Sequence, residues 1–311
     1  MDKRALGSSG LEVTPIGLGC WAMGGDRWWG PVDDNESIGC VHEALELGIN
    51  LIDTASAYGN GHAEEVLGKA LIGRRDKVII ATKCGLIPNP AAPEGYERRL
   101  TRKSILAECE TSLRRLRTDY IDLYQCHWPD PATPLEETME AMNLLLEQGR
   151  IRAIGVSNFS CDQLSAARKH ARVTSLQPPF SMLQRQSAEE LIPYCQEYNI
   201  AVLAYSPLCR GLLSGNLTAD QTFNDLRRDD PEFSGDRYRK NLARVARLSE
   251  IARRNGKSMV QLAVNWVIYT PGVTAALVGA RRASQIREAA PAVGWTISAE
   301  DHQRILDTLE S

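Results

Sequence analysis

Four side chains in the first half of the chain are of types that can move a proton together: Asp53, Tyr58, Lys83 and His127. Asp53 closes a short apolar run (Leu51, Ile52), and Tyr58 follows in a loop of small and polar residues. Lys83 closes the run KVIIATK, and His127 closes YIDLYQCH. The chemistry that suits this set is carbonyl reduction. Hydride added to a carbonyl carbon builds negative charge on oxygen, which must then be protonated. A phenol with an ordinary pKa of about 10 can supply that proton if its phenolate is stabilised. A lysine ammonium beside the phenol favours the charged form, and an aspartate paired with the lysine keeps it protonated and oriented. A histidine can hydrogen-bond the substrate oxygen and help polarise it. Each residue alone has a duller reading: Asp53 a helix cap, Lys83 a surface lysine, His127 a satisfied core histidine, Tyr58 packing. Three consecutive strand ends carrying Asp, Lys and His, with a tyrosine nearby, favour a site. The set requires neither a metal nor a covalent nucleophile.

Such a set needs a scaffold that brings successive strand ends to one face. Apolar runs that read as strands fall at residues 16–19, 50–53, 77–83, 120–127, 151–156, 174–177, 200–206 and 273–278. Helical patterns separate them, at 37–47, 63–72, 101–116, 135–148, 161–170, 188–198, 239–254 and 259–269, and two more follow at 284–290 and 299–309. Near-continuous apolar strands are buried on both faces, as in a parallel sheet covered by helices. Eight units in one chain favour a closed (β/α)8 TIM barrel, an α/β fold whose reactive groups collect at the C-terminal strand ends. The segment around Gly7-Ser8-Ser9-Gly10 reads as an N-terminal β-hairpin. Two long loops, the Gly- and Trp-rich residues 20–31 and the insertion 207–236, are expected on the catalytic face. No Gly-x-Gly-x-x-Gly follows the first strand, so a Rossmann fold loses its main support. With no internal boundary visible, residues 1–311 are expected to form a single barrel domain.

A net charge of −3 without like-charged blocks argues against nucleic acid as an obligate partner. The eight cysteines include no CxxC spacing, so they read as reduced thiols used as small hydrophobes rather than as zinc ligands. The N-terminus lacks the apolar core of a signal peptide, and no run is apolar enough for a membrane helix. The expectation is a cytoplasmic protein, with no membrane partner, that is a monomer or weak homo-oligomer.

The chain resembles the aldo-keto reductases from about Arg4 to about Leu309, in their bacterial form. The resemblance rests on Gly17-Leu18-Gly19-Cys20-Trp21, Asn50-Leu51-Ile52-Asp53-Thr54-Ala55 with Tyr58-Gly59, and Thr82-Lys83. Further along it rests on His127-Trp128, Gly155-Val156-Ser157-Asn158-Phe159, Tyr205-Ser206-Pro207-Leu208 and Gly211-Leu212-Leu213. It implies a (β/α)8 barrel using NADPH, or less often NADH, with Asp53, Tyr58, Lys83 and His127 as the catalytic tetrad. Tyr58 would be the general acid, Lys83 and Asp53 would tune it, and His127 would orient the carbonyl. Ser157, Asn158 and Gln177 fall where the family holds the nicotinamide carboxamide, and Tyr205 where a ring stacks under the nicotinamide. Asp53 and Trp21 border the same cofactor site. Ser206, Leu208 and Arg210 fall where the chain wraps the pyrophosphate. Gly279, Arg281 and Arg282 follow the last strand and open a helix, an arrangement suited to a ribose 2′-phosphate and so to NADPH. Gln285 and Glu288 match adenosine-contacting positions. Ala289 stands where the family often has an adenine-contacting Asn, which removes one expected contact.

Trp21, Trp28, Trp29 and Trp128 lie on loops at the catalytic end and are candidates to line the substrate pocket, against an apolar group or a sugar face. The pair Gly24-Gly25 would let the first loop move as a lid. The leading expectation is an NADPH-dependent oxidoreductase converting small aldehydes or ketones to alcohols, with NADH a weaker cofactor. A sugar or alcohol dehydrogenase working oxidatively would use the same residues. A cofactor-binding regulatory subunit like the potassium-channel β-subunits is a third reading, disfavoured because no N-terminal extension precedes the barrel.

Overall fold

In the computed structural model, which describes residues 1–25, 28–92 and 95–310, eight parallel strands close into a barrel. Asp26 and Arg27 of the expected first loop lie outside the described residues. Before the barrel, β1 (Arg4–Ala5) and β2 (Glu12–Val13) pair as an antiparallel hairpin. The barrel begins with β3 (Ile16–Gly19), β4 (Leu51–Asp53) and β5 (Ile79–Cys84). A second antiparallel pair, β6 (Leu86–Pro88) and β7 (Tyr96–Arg98), leaves the barrel after β5. The barrel continues with β8 (Ile121–Cys126), β9 (Ile151–Ser157), β10 (Val173–Gln177), β11 (Ala201–Tyr205) and β12 (Val273–Gly279), and β12 closes on β3.

The helices are α1 (Asp34–Glu46), α2 (His62–Ala70), α3 (Arg102–Leu116), α4 (Leu135–Glu147), α5 (Cys161–Ala167), α6 (Leu191–Glu197), α7 (Gly235–Arg254), α8 (Met259–Tyr269), α9 (Ala283–Ala289) and α10 (Ala299–Glu310). Their apolar stripes pack on the outer faces of the strands in one continuous core. No helix among the described residues is long and apolar enough to cross a membrane, and none of their His, Cys, Asp and Glu groups could hold a metal.

The expected elements are present with three informative departures. The stretch between β5 and α3, which carries none of the expected strands or helices, contains the β6–β7 hairpin; proline is tolerated there because both strands are edges. The helix expected over 188–198 splits into a 3₁₀ turn (Gln186–Ala188) and α6, because a helix through Glu189 would drive the Pro193 ring into that carbonyl. The insertion 207–236 contains three short 3₁₀ turns, at Cys209–Ser214, Leu226–Asp229 and Pro231–Phe233, and it docks on the first loop through Leu226 N–H to Trp28 O at 3.0 Å.

The barrel interior is layered by strand alternation. Leu51, Ala81, Leu123, Ala153, Leu203 and Leu277 form a small apolar cluster with Leu6 and Val13 of the hairpin. Side chains two residues further along the same strands point to the same side, one layer nearer the C-terminal ends. That next layer holds Asp53, Lys83 and Gln125, so an apolar floor supports a buried polar layer.

Candidate active site

Lys83, 0 % exposed, is the hub of the polar layer. Its Nζ donates to Asp53 Oδ1 at 2.6 Å, to Thr54 O at 2.8 Å and to the Tyr58 hydroxyl at 3.1 Å. Three acceptors match the three N–H bonds of an ammonium. Burial would lower the Lys83 pKa, but Asp53 and then Tyr58 outweigh it and leave the ammonium above its usual value. Lys83 is therefore an ammonium at neutral pH.

Tyr58 opens the 3₁₀ turn Tyr58–Gly61 just beyond β4 and is only partly buried, within the cleft at the strand ends. Burial pushes its pKa up; Lys83 pulls it down, and Asp53 pushes it up again. The lowering expected from Lys83 is present, yet burial outweighs it, so the phenol is protonated throughout the neutral range. The His127 ring meets the Tyr58 ring edge-on at a centroid distance of 5.8 Å. Burial, with Lys83 adding to it, holds His127 well below the usual histidine range. A neutral imidazole with one N–H therefore faces the same cleft as a protonated phenol.

The backbone around Tyr58 is held by an unusually close contact. A Cβ on Gly24 would lie 2.7 Å from Gly59 N and 2.8 Å from the Tyr58 carbonyl carbon, and one on Gly59 would lie 2.2 Å from Gly24 O. Two glycines thus let the first loop press directly on the tyrosine turn, which gives Gly24 a packing role.

Asn158 ties three strand ends together. It adopts φ 62°, in the left-handed region that Asn tolerates. Its Nδ2 donates to His127 O and Ser157 Oγ, both at 3.0 Å, and its Oδ1 accepts from the Tyr205 hydroxyl at 3.0 Å. Ser157 Oγ in turn donates to Gln177 O at 2.8 Å. Burial pushes the Tyr205 phenol up to about 12, so it remains a donor in this network.

These groups open on a cleft of about 690 Å³, in the range of small-molecule and cofactor sites. All four expected tryptophans line it, as do Ser157, Asn158, Gln177, Tyr205, Ser206, Leu208 and Arg210. Gly279, Arg281, Gln285 and Glu288 line it too. Lys83 lies behind Asp53 and Tyr58 rather than in the wall. Arg282 is not part of the wall: its side chain is 71 % exposed and lies 3.6 Å from Glu36. Arg281 instead reaches back to Trp29 O, and both Arg281 and Arg282 N–H groups donate to Gln285 Oε1.

Several lining residues were not anticipated. Leu86 and Tyr96 arrive on the β6–β7 hairpin, with the Tyr96 hydroxyl donating to Ala57 O at 2.7 Å. Arg227 arrives on the insertion, clamped by Asp225 at 2.9 and 2.5 Å. Neither hairpin nor insertion has a periodic pattern that fixes where it docks. Gln125 was also passed over, although its place two residues after the inward-facing Leu123 marks it.

A profile of the Aldo/keto reductase family matches residues 15–310. The chain is 45 % identical over 316 residues to aldo-keto reductase YhdN of Bacillus subtilis (strain 168), covering 100 % of this chain and 94 % of that one. It is 33 % identical over 313 residues to the NADH-specific methylglyoxal reductase of Escherichia coli (strain K12), covering 97 % and 96 %. The glycerol dehydrogenase AKR11B4 from Gluconobacter oxydans superposes with a TM-score of 0.91 at 39 % identity, over 99 % of this chain and 95 % of that one.

Proposed function

The chain belongs to the aldo/keto reductase family and is an oxidoreductase; from that premise we propose that it reduces small aldehydes and ketones to alcohols with NADPH, Tyr58 serving as general acid. The observation that carries the reading is the buried chain Asp53–Lys83–Tyr58, with His127 across the same cleft mouth. A nicotinamide cofactor, when bound, supplies the hydride. The residues present fit such a group: Gln177 offers an amide to the cleft, and Arg281 and Arg227 offer it cations.

The protein's own contribution is to receive the carbonyl oxygen and protonate it. The neutral His127 donates one hydrogen bond to that oxygen, and the Tyr58 hydroxyl donates the other. As charge builds on oxygen, the phenol gives up its proton, and the Lys83 ammonium at 3.1 Å stabilises the phenolate left behind. Asp53 keeps Lys83 charged and in place. Trp21, Trp28, Trp29 and Trp128 exclude water and hold the substrate's apolar body.

Polyol or sugar oxidation is the second reading, favoured by the likeness to a glycerol dehydrogenase. That direction needs Tyr58 as a phenolate base. Because burial raises the Tyr58 pKa, oxidation should climb with pH into the alkaline range, while reduction holds level and falls only as Tyr58 ionises. Paired pH–rate profiles in the two directions check this; an oxidation rate that falls on going alkaline would contradict the assignment.

Arg281 supports the preference for NADPH, although an NADH-specific relative shows that family membership alone does not decide it. Arg281→Ala should weaken NADPH binding by about 10- to 100-fold, as expected for a hydrogen bond to a charged group, and leave NADH binding nearly unchanged. Arg282→Ala should do little. Equal loss for both cofactors in fluorescence titrations would remove the phosphate role.

Gly24→Ala should push the Tyr58 turn out of register and lower turnover by about 100-fold, with NADPH affinity largely kept. Unimpaired turnover would show that this contact does not hold the phenol. We further propose one barrel domain over residues 1–311 that works in the cytoplasm; its eight unpaired thiols, seven of them buried, support a reducing compartment.

A further inference from the structure

Asp53 uses Oδ1 for Lys83, while its Oδ2 receives two primary amides, Gln177 Nε2 at 2.8 Å and Gln125 Nε2 at 3.3 Å. The amides also bond to each other: Gln177 Nε2 donates to Gln125 Oε1 at 3.2 Å. Charge fixes both orientations. A carboxylate 2.6 Å from an ammonium is ionised and only accepts, so each amide must turn its NH2 toward it. Gln125 Oε1 then takes the second N–H of Gln177. With both N–H bonds used, Gln177 has Oε1 left, and that atom accepts no hydrogen bond among the described residues. Gln177 lines the cleft, whereas Gln125 is 0 % exposed and stands behind it. The neighbouring strand leaves room for this arrangement, since a Cβ on Gly155 would come within 3.0 Å of Gln125 Cγ.

We infer that Gln125 is a positioning residue: it locks the Gln177 amide so that an acceptor, never a donor, faces the cleft, and thereby selects a cofactor ring bearing a carboxamide NH2. The inference rests on the nicotinamide reading above. Without Gln125, one N–H of Gln177 loses its acceptor and the amide plane can swing about its remaining bond to Asp53, so Oε1 no longer holds its aim at the cleft. Asp53 thus decides which end of the Gln177 amide turns inward, and Gln125 fixes the plane in which its Oε1 meets the cofactor site.

The test compares dissociation constants of NADP+ and its 3-acetylpyridine analogue, in which a methyl group replaces the carboxamide NH2. Tryptophan fluorescence quenching reads both, for the wild type and for Gln125→Met, which has a similar shape and no amide. The wild type should hold NADP+ about tenfold more tightly than the analogue, the size of one well-made hydrogen bond. In Gln125→Met that ratio should collapse toward one. A merely structural role would weaken both compounds alike and leave the ratio unchanged, and that result, or a wild-type ratio near one, overturns the inference. If the Met variant fails to fold, Gln125→Asn, one methylene too short to span both partners, carries the same expectation. Failure of the wild type to bind either compound would sink the nicotinamide reading itself.

Discussion

Tyr58→Phe is expected to lower the turnover number by about 10²- to 10⁴-fold, the usual contribution of a positioned acid, and to leave NADPH binding as it is in the wild type. The substitution removes one oxygen atom and keeps the ring that packs against Trp21 and meets His127 edge-on. Lys83 keeps two of its three acceptors, Asp53 and Thr54, so the buried ion pair survives. The loss therefore falls on proton delivery rather than on folding or cofactor binding. Steady-state kinetics with a short aldehyde, beside a fluorescence titration of NADPH, separates the two quantities. Turnover within tenfold of wild type would mean that another group, His127 or water, supplies the proton.

Asp53→Ala is expected to destabilise the fold by about 3–5 kcal/mol as well as abolish turnover, the cost of leaving one partner of a buried pair uncompensated. Lys83 is 0 % exposed and would keep only a backbone carbonyl and a phenol as partners. The alkaline side of the stability profile should reverse. In the wild type the Lys83 pKa is raised in the folded state, so its contribution is complete below the unfolded value and is lost as pH rises through the folded one. In the variant, burial without Asp53 depresses the folded pKa. The folded state then holds the proton less tightly than the unfolded chain, and stability should rise with pH up to about 10, the ordinary lysine value. Urea unfolding from neutral pH to pH 10 checks this: the Lys83 contribution should stay level there in the wild type and grow in the variant. Parallel slopes in the two proteins would show that Lys83 is not charged in the folded wild type.

The barrel and its four reactive groups were legible because strands and helices of different period alternate along the chain, and because reactive side chains close three successive strands. Asp53, Lys83 and His127 needed only the strand ends to be placed, and Tyr58 only a short turn after β4. Gln125 was equally legible in principle, since alternation from Leu123 puts it inward. It was missed because no reactive role attaches to an amide. The expected pair Arg281 and Arg282 divided between cleft and solvent, because side-chain direction at a strand-to-helix junction depends on packing against Trp29 and Glu36. Arg227 and Tyr96 reach the cleft by tertiary docking of segments without a repeating pattern. The balance at Tyr58 could not be read from residue types either: Lys83 lowers its pKa, but how far burial opposes this is a property of the folded cleft.

The most direct test of the account follows the hydride itself. NADPH carrying deuterium at the transferable C4 position is incubated with the protein and a small aldehyde, and the alcohol is examined by mass spectrometry and NMR. One deuterium is expected on the carbinol carbon for each NADPH consumed, with the yield collapsing in Tyr58→Phe. NADPH consumed without deuterium in the alcohol, or no consumption with any small aldehyde or ketone, would contradict it.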